Sequence, residues 1–278
     1  MILVREAYLS TGRTALIEID ETLHIRLSVF LESRAREAGD IDGVIKIKQR
    51  IATDARGYYE IARLFLDKDD TETAAKWLEK ADGIAKHDHE RDLELWVDLH
   101  AARQDWTHAA SAQRTLFEKS FAYADFRKLL ELAFRTGHEE RVHEGVKSWL
   151  REKLNSRGGS LGTRAFTLAQ ILRDEGDWQG AFETLVHYTT YQDWFEESAA
   201  WFEEARADYA CELYRRAIEA RIGRKNKTGY KAAVDLLVRV EPIFAKLPGE
   251  AFAELVVRLR ETHKQKRNLI AALAARGL

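Results

Sequence analysis

Residues 176–181 read Gly-Asp-Trp-Gln-Gly-Ala, a combination that is typical of the end of one helix and the start of the next. Glycine permits the left-handed backbone conformation that ends a helix. The aspartate after it accepts a hydrogen bond from the free N–H groups of the next helix, and its charge suits the positive end of that helix. The small Ala181, one turn further on, lets a paired helix approach closely. The stretch therefore predicts a tight turn between two paired helices.

The same step recurs along the chain at spacings of 30, 35, 33, 39 and 31 residues. The aligned capping positions are Asp40, Asp70, Asp105, His138, Asp177 and Asp208. Four positions later, the first five copies carry a small or branched apolar residue, namely Val44, Ala74, Ala109, Val142 and Ala181. The sixth copy has Glu212 there, unless it slips by one residue to Leu213. Repetition at this length is typical of helix-turn-helix units that stack into a solenoid.

Between these steps the apolar residues follow the period of an α-helix. Four segments show the pattern clearly: Tyr58, Ile61, Ala62 and Phe65; Phe126, Leu129, Leu130 and Ala133, with Phe134 next; Ala165, Leu168, Ala169 and Leu172; and Tyr230, Ala233, Val234 and Leu237. Each set forms one stripe that must be buried against a neighbouring helix. No segment alternates like a strand, and the chain has only two prolines. The predicted fold class is all-α.

Two stretches resemble tetratricopeptide-type repeats. They are Gly-Asp-Trp-x-x-Ala at 176–181 and Tyr58-Tyr-Glu-Ile-Ala-Arg with Thr73-Ala-Ala-Lys-Trp-Leu, although the strict opening motif and the closing proline are missing. The resemblance implies a right-handed α-solenoid of about six or seven helix pairs over residues 28–278. Its concave groove would be lined mainly by the first helix of each pair.

A second resemblance concerns residues 259–269, Leu-Arg-Glu-Thr-His-Lys-Gln-Lys-Arg-Asn-Leu. This string is similar to the last helix of bacterial proteins that carry a SWIM-type zinc finger upstream of a helical domain, and of a related uncharacterised bacterial family. The resemblance extends over about residues 28–275. The finger needs several cysteines, and Cys211 is the only one here, so neither zinc nor finger-dependent DNA binding is implied.

Two segments stand apart from the repeats. Residues 1–27 have a helical apolar pattern without a repeat, which we interpret as an N-terminal helical segment that is consistent with the end of a missing upstream region. Residues 156–162, Ser-Arg-Gly-Gly-Ser-Leu-Gly, are the one glycine-rich interruption, and we expect a hinge there.

Composition predicts a cytoplasmic location. Charged residues make up 32% of the chain, and no apolar run is long enough to span a membrane. A single cysteine excludes an intramolecular disulfide and suits a reducing compartment. Charged residues follow the first three apolar ones, which is not the pattern of a secretory signal.

Four candidate sites for chemistry favour structural interpretations. The glycines at 158, 159 and 162 lack the lysine of a phosphate-binding loop. His87 and His89, with His100 and His108 nearby, suggest a metal site, but a solvated loop explains them better. Arg258 and His263 match a loose ribonuclease pattern that composition alone produces by chance. Cys211 lies within a helix, where a buried structural cysteine is expected. We therefore predict no catalytic residue, cofactor or metal.

Charge and aromatic residues point to binding partners. Residues 1–205 carry a net charge of −10 and residues 206–278 one of +8. The aromatic candidates for protein binding are Trp194, Trp201, Phe195 and Phe202. The candidates for an anionic partner are Arg221, Arg224, Lys225, Lys227, Lys231, Arg260, Lys264 and Arg267, the last three predicted to form one stripe on a single helix.

We expect a non-enzymatic scaffold or adaptor that binds a protein or peptide in the groove, with a basic partner favoured by the acidic residues 1–205. The alternative is a nucleic-acid-associated module that uses the basic C-terminal helices, and a ribonuclease ranks third. The oligomeric state stays open.

Overall fold

The computed structural model describes residues 21–85, 92–155, 161–188, 194–249 and 251–278. Fifteen helices and no strand occur in these ranges, so the all-α prediction is confirmed. In chain order they are α1 Glu21–Glu37, α2 Ile41–Ile51, α3 Ala55–Leu66, α4 Thr71–Ile84, α5 Leu93–Ala102, α6 Trp106–Ser120, α7 Tyr123–Arg135, α8 Glu139–Asn155, α9 Leu161–Asp174, α10 Trp178–Tyr188, α11 Trp194–Phe202, α12 Ala207–Gly223, α13 Lys227–Phe244, α14 Ala251–Thr262 and α15 Arg267–Ala274.

Five of the predicted turns have the same backbone geometry, which we call the repeated turn. The residue before the cap has a positive φ between 58° and 80° in all five, namely Gly39, Asp69, Gln104, Gly137 and Gly176. The N–H of the capping residue then donates to the carbonyl five residues earlier at 2.8–3.0 Å. This is the pattern in which a left-handed residue closes the end of a helix. Asp69 and Gln104 adopt it despite their side chains.

The capping side chains complete four of these turns. The carboxylates of Asp40, Asp70, Asp105 and Asp177 accept the backbone N–H three residues later, at 2.8, 3.0, 3.3 and 2.9 Å. His138 instead contacts Thr136 through its ring. The residues four positions after the aspartates, Val44, Ala74, Ala109 and Ala181, are fully buried. Burial of the small residue, which close helix pairing requires, is thus observed at four turns, while Val142 stays partly exposed.

The sixth turn was predicted in the wrong register. The capping residue is Arg206 rather than Asp208, and Ala210 occupies the buried position four residues later. Asp208 lies inside the helix and forms an ion pair with Arg206 at 2.7 Å. The Arg206 guanidinium also lies 3.6 Å from the centre of the Tyr209 ring. These contacts hold Arg206 at the helix start without a capping carboxylate.

The chain divides into two compact units, Met1–Leu116 and Phe117–Leu278, with the boundary inside α6. In the first unit, α3, α4 and α5 enclose a core of buried residues that includes Leu78, Leu95 and Leu99. In the second unit, the three other predicted stripes are buried, except that Leu130 is only partly buried and Phe134 is 68% exposed. Within each unit, a helix packs against the next one or the next but one in the chain.

The prediction that Arg260, Lys264 and Arg267 lie on a single helix is wrong. The structure breaks this segment into α14 and α15 at a turn over 263–266, with the Lys266 N–H donating to the His263 carbonyl at 2.8 Å. The physical reason is tertiary, because α15 folds back against α13 and buries Leu269 and Leu273. Arg260, Lys264 and Arg267 therefore do not form one stripe.

Other predicted features lie partly or wholly outside the described residues. Residues 1–20 of the N-terminal segment and residues 156–160 of the predicted hinge belong there. Leu161 and Gly162, the end of that segment, start α9, and Gly162 is buried.

Alanine substitutions at two glycines are expected to change the stability of the protein in opposite directions. A Cβ at Gly229 would lie 2.6 Å from the Arg221 carbonyl oxygen, whereas one at Gly145 would meet nothing within 4 Å. We expect Gly229→Ala to destabilise the protein by about 1–3 kcal/mol through this overlap. Gly145→Ala, in the exposed middle of α8, should stabilise it by about 0.5–1 kcal/mol. Urea unfolding followed by circular dichroism measures both, and a stabilised Gly229→Ala variant would contradict the close approach.

Candidate partner-binding grooves

A groove of about 1320 Å³ lies in the first unit, and we call it groove A. Eleven of its eighteen lining residues lie on α1, α3 and α5, which are helices that precede a repeated turn. The charged lining residues are Glu32, Arg36, Lys48, Asp54, Arg56, Glu60, Arg63, Asp67, Asp92 and Glu94. They carry six negative and four positive charges. The predicted role of first helices in lining a groove agrees with this geometry.

The four cations of groove A are all neutralised by carboxylates of the same unit. Lys48, whose side chain is largely buried, pairs with Glu60 at 2.5 Å and with Glu32 at 3.1 Å. Burial opposes ionisation of Glu32, but hydrogen bonds from Arg36 and Lys48 lower its pKa. The other two cations form longer pairs, Arg56 with Glu60 at 3.5 Å and Arg63 with Asp98 at 3.6 Å.

Groove A keeps two carboxylates without such a partner. Among the described residues, no side chain forms an ion pair or hydrogen bond with the carboxylates of Asp67 and Glu94, and both residues are exposed. Ile84, also in the lining, leaves 44% of its surface exposed. The groove therefore offers negative charge next to an apolar side chain.

A second groove, groove B, has a volume of about 670 Å³ and lies in the second unit. It is lined by residues of α7, α8 and α9. Apolar lining comes from Phe126 and Ile171, which are buried, and from Phe134, which is exposed. The charged lining residues are Arg127, Glu131, Arg135, Glu139, Asp174 and Glu175, which leaves an excess of two negative charges.

Polar contacts fix one side of groove B. The Tyr123 hydroxyl donates to Asp174, and Arg127 lies 3.8 Å from the same carboxylate. Burial opposes ionisation of Asp174, but hydrogen bonds from Tyr123 and Arg173 lower its pKa. Burial and the bond to Asp174 raise the pKa of Tyr123. Asp174 is therefore ionised and already engaged within the protein.

The other side of groove B, like groove A, contains exposed carboxylates that form no ion pair with a described residue. Glu131 and Glu139 are exposed, and neither carboxylate forms an ion pair or hydrogen bond within the described part of the chain. Phe134 lies between them in sequence, at the end of α7. The sequence does not mark Phe134 as a candidate for binding, because its helical spacing places it on the core stripe. Only the packing shows that no helix covers it.

The predicted aromatic cluster lies on α11 but is divided by burial. Phe202 is fully buried against Trp178, and Phe195 is 9% exposed. Trp194 and Trp201 are partly exposed and share a face, since the Phe166 ring lies 4.8 and 5.0 Å from them. The Arg173 guanidinium stacks on Trp201 at 4.7 Å. These contacts give the four aromatic residues a packing role in the core of the second unit.

The predicted basic residues also fall into two groups. Arg221 pairs with Glu196, and Arg260 donates to the main-chain oxygen of Leu278. Arg224 is exposed at the end of α12. The remaining exposed residues, Lys225, Lys227, Lys231, Lys264 and Arg267, form no ion pair with any described residue. His263 bonds to Glu219 of α12 at 2.8 Å, which places the turn over 263–266 beside that helix.

The other candidate residues have structural partners. His263 also contacts the Lys266 ammonium at 3.0 Å, and its side chain is 11% exposed. Cys211 is buried, and burial raises the pKa of its thiol to about 11. His87 and His89 lie outside the described residues. His100 and His108 come together at one repeated turn, with ring centres 5.3 Å apart.

Comparisons with known proteins give no family. No protein-family model matches the chain, and no curated protein matches its sequence. Within the described ranges, every helix is too short or too polar to cross a membrane.

The buried thiol makes a direct prediction about reactivity. With a pKa of about 11, Cys211 is about one part in a thousand thiolate at pH 8, and it is also shielded from reagents. We expect negligible reaction with a water-soluble disulfide reagent in the folded protein and one equivalent after unfolding in urea. Rapid stoichiometric reaction of the folded protein would show an accessible, activated thiol.

Proposed function

We propose that this protein is a non-enzymatic scaffold or adaptor of the bacterial cytoplasm that binds a partner segment in its grooves. The proposed ligand is a peptide or helix that carries lysine or arginine next to an apolar side chain. The architecture behind this proposal is the right-handed, tetratricopeptide-like solenoid. What supports it is the repeated turn and the packing of each helix on its neighbours in sequence.

The observation that supports the proposal is that both grooves contain carboxylates that form no ion pair with a described residue. In groove A every lining cation is held by a carboxylate of the protein, while Asp67 and Glu94 remain available. In groove B the available carboxylates are Glu131 and Glu139. A basic partner fits both grooves, whereas an acidic one is repelled. Such complementarity contributes more to specificity and association rate than to affinity.

We expect the exposed apolar residues of the grooves to contribute more to the free energy of binding than the charged residues do. Exposed ion pairs contribute only about 0.2–1 kcal/mol each. Aromatic side chains that become buried on binding contribute about 2 kcal/mol or more. Phe134 in groove B and Ile84 in groove A are placed to gain this energy when a partner covers them.

We expect a photo-crosslinking amino acid at position 134 or 84 to capture a discrete protein partner in native cells. The matched control is Val257, which is 54% exposed but lines neither groove. Mass spectrometry of the adduct should identify a segment that contains lysine or arginine. Equal yields at 134, 84 and 257, no adduct at either groove position, or an acidic segment would contradict the proposal.

Substitutions in groove B then test whether partner binding can be weakened while the stability of the protein is unchanged. Phe134→Ser should leave stability within about 0.5 kcal/mol, since the side chain is exposed, and should weaken binding of the captured segment about tenfold or more. The double substitution Glu131→Lys, Glu139→Lys should also weaken binding of the captured segment. The loss of affinity should be smaller at high salt, because salt screens the charges. Glu241→Lys with Glu254→Lys makes the same charge change on exposed residues outside the grooves, and it should leave binding intact.

A nucleic-acid-associated role is the second candidate, and one contact favours it. The bond between His263 and Glu219 brings the turn that contains Lys264 beside α12, which ends next to Lys225 and Lys227. The two basic segments can therefore contribute to one surface. Phosphates would bind there by charge, with an affinity that falls steeply as salt rises.

Chromatography on a polyanion resin tests this role. If it is correct, the protein is retained at physiological salt, and Lys225→Glu, Lys227→Glu and Lys264→Glu together abolish retention. Lys76→Glu, Lys119→Glu and Lys128→Glu make an equal charge change elsewhere and serve as the control. Equal elution of both triple variants would rule out the C-terminal basic surface.

A further inference from the structure

A cluster of three metal-ligating side chains lies at the repeated turn between α5 and α6. His100, Asp105 and His108 each present one ligand atom, and these atoms lie within 4.8 Å of one another. Asp105 Oδ2 is 2.7 Å from His108 Nδ1 and 3.7 Å from His100 Nδ1. Four ligands around Zn²⁺ at 2.0–2.1 Å stand about 3.3 Å apart. Small side-chain shifts would thus bring these atoms to coordination distance.

The repeated turn itself brings the three residues together. The Asp105 N–H donates to the His100 carbonyl at 2.8 Å, which fixes the end of α5 against the cap. Asp105 Oδ1 accepts the His108 N–H at 3.3 Å, which fixes the first turn of α6. The backbone therefore holds the three ligands in place before any metal binds.

The other copies of the turn show that these histidines are not needed to build it. Five positions before the cap, the other four copies carry an apolar residue: Ala35, Phe65, Ala133 and Leu172. Three positions after the cap they carry Gly43, Thr73, Arg141 and Gly180. Only the turn at Asp105 has histidine at both positions. The turn therefore accounts for the positions of these two side chains, but it does not require either of them to be histidine.

The Nδ1 atom of His100 also lacks a hydrogen-bond partner. It is buried, and no described residue donates to it or accepts from it within hydrogen-bond distance. A buried polar atom without a partner destabilises the folded state, so a ligand that binds to it removes that penalty. An imidazole nitrogen without a hydrogen-bond partner can act as a metal ligand.

A second cluster in the protein provides an internal contrast. His143, Glu144 and Glu175 also come together, but the Lys147 ammonium lies among them, at 2.7 Å from Glu144 and 2.5 Å from Glu175. That ammonium already supplies the positive charge. At the first cluster, Arg103 acts on His100 only at a distance, because its guanidinium is bound to Glu72 at 3.0 Å.

We propose that His100, Asp105 and His108 form a binding site for a divalent transition metal of the Zn²⁺ type. Two imidazoles and one carboxylate are a ligand set that suits Zn²⁺ and leaves a fourth position for water or a partner's side chain. The site is distinct from both grooves, since none of its three residues lines them. It holds together two helices at a turn, so metal binding stabilises the folded state of the first unit.

The test uses the full chain without a polyhistidine tag, freed of metal by dialysis against a chelator. Titration with Zn²⁺ by calorimetry should show one site with a Kd of about 10 µM or tighter, and Zn²⁺ should raise the unfolding temperature. Titration with Co²⁺ should give visible absorption bands of a low-symmetry site with nitrogen and oxygen ligands. Absence of saturable binding of either ion at about 100 µM would overturn the proposal.

Variants assign the ligands. His108→Ala should weaken Zn²⁺ binding at least tenfold while the apo protein stays as stable as before, because this side chain is 68% exposed. Asp105→Asn keeps a capping oxygen and should show the same loss. His138→Ala, at the cap of the next repeated turn, is the matched control and should bind normally. Normal binding by His108→Ala, or a loss seen only with His87→Ala and His89→Ala, would place the ion elsewhere and overturn the assignment.

Discussion

The structure depends on one hydrogen bond, from the N–H of a capping residue to the carbonyl five residues before it. That bond ends one helix and sets where the next begins, and it recurs at 2.8–3.0 Å in five turns. Because the second helix starts at a fixed orientation, the residue four positions later points into the core at the four turns that an aspartate caps. Full burial of Val44, Ala74, Ala109 and Ala181 follows from this geometry.

The same constraint accounts for the grooves. A turn that pairs two helices leaves the face of the first helix free, and both grooves draw their lining largely from such helices. Core formation uses the apolar stripe of each helix, so the groove side keeps charged residues. Most of these neutralise one another, as Lys48 does with Glu60. The proposed partner would bind to the carboxylates that take no part in these internal ion pairs.

Much of the fold was predictable because its determinants are local. Capping aspartates, left-handed residues and apolar stripes are all visible within a few residues of sequence. The break at 263–266 was not predictable, because the apolar pattern continues through it and only the burial of Leu269 against α13 decides it. Exposure of Phe134 and the approach of His100 to His108 depend on packing in the same way. The candidate sites were therefore largely hidden in the sequence, since they consist of what packing leaves uncovered or brings together.

Packing between neighbours in sequence also governs how the chain acquires its structure. In each unit the most extensive helix contacts join helices one or two places apart in the chain, so little chain entropy is lost before such a contact forms. Chains with such local contacts fold rapidly. Nucleation can begin at any helix pair and spread to its neighbours, which is the behaviour known from repeat proteins. Folding during synthesis can therefore begin with the first helix pairs that leave the ribosome, before the C-terminal helices have been translated.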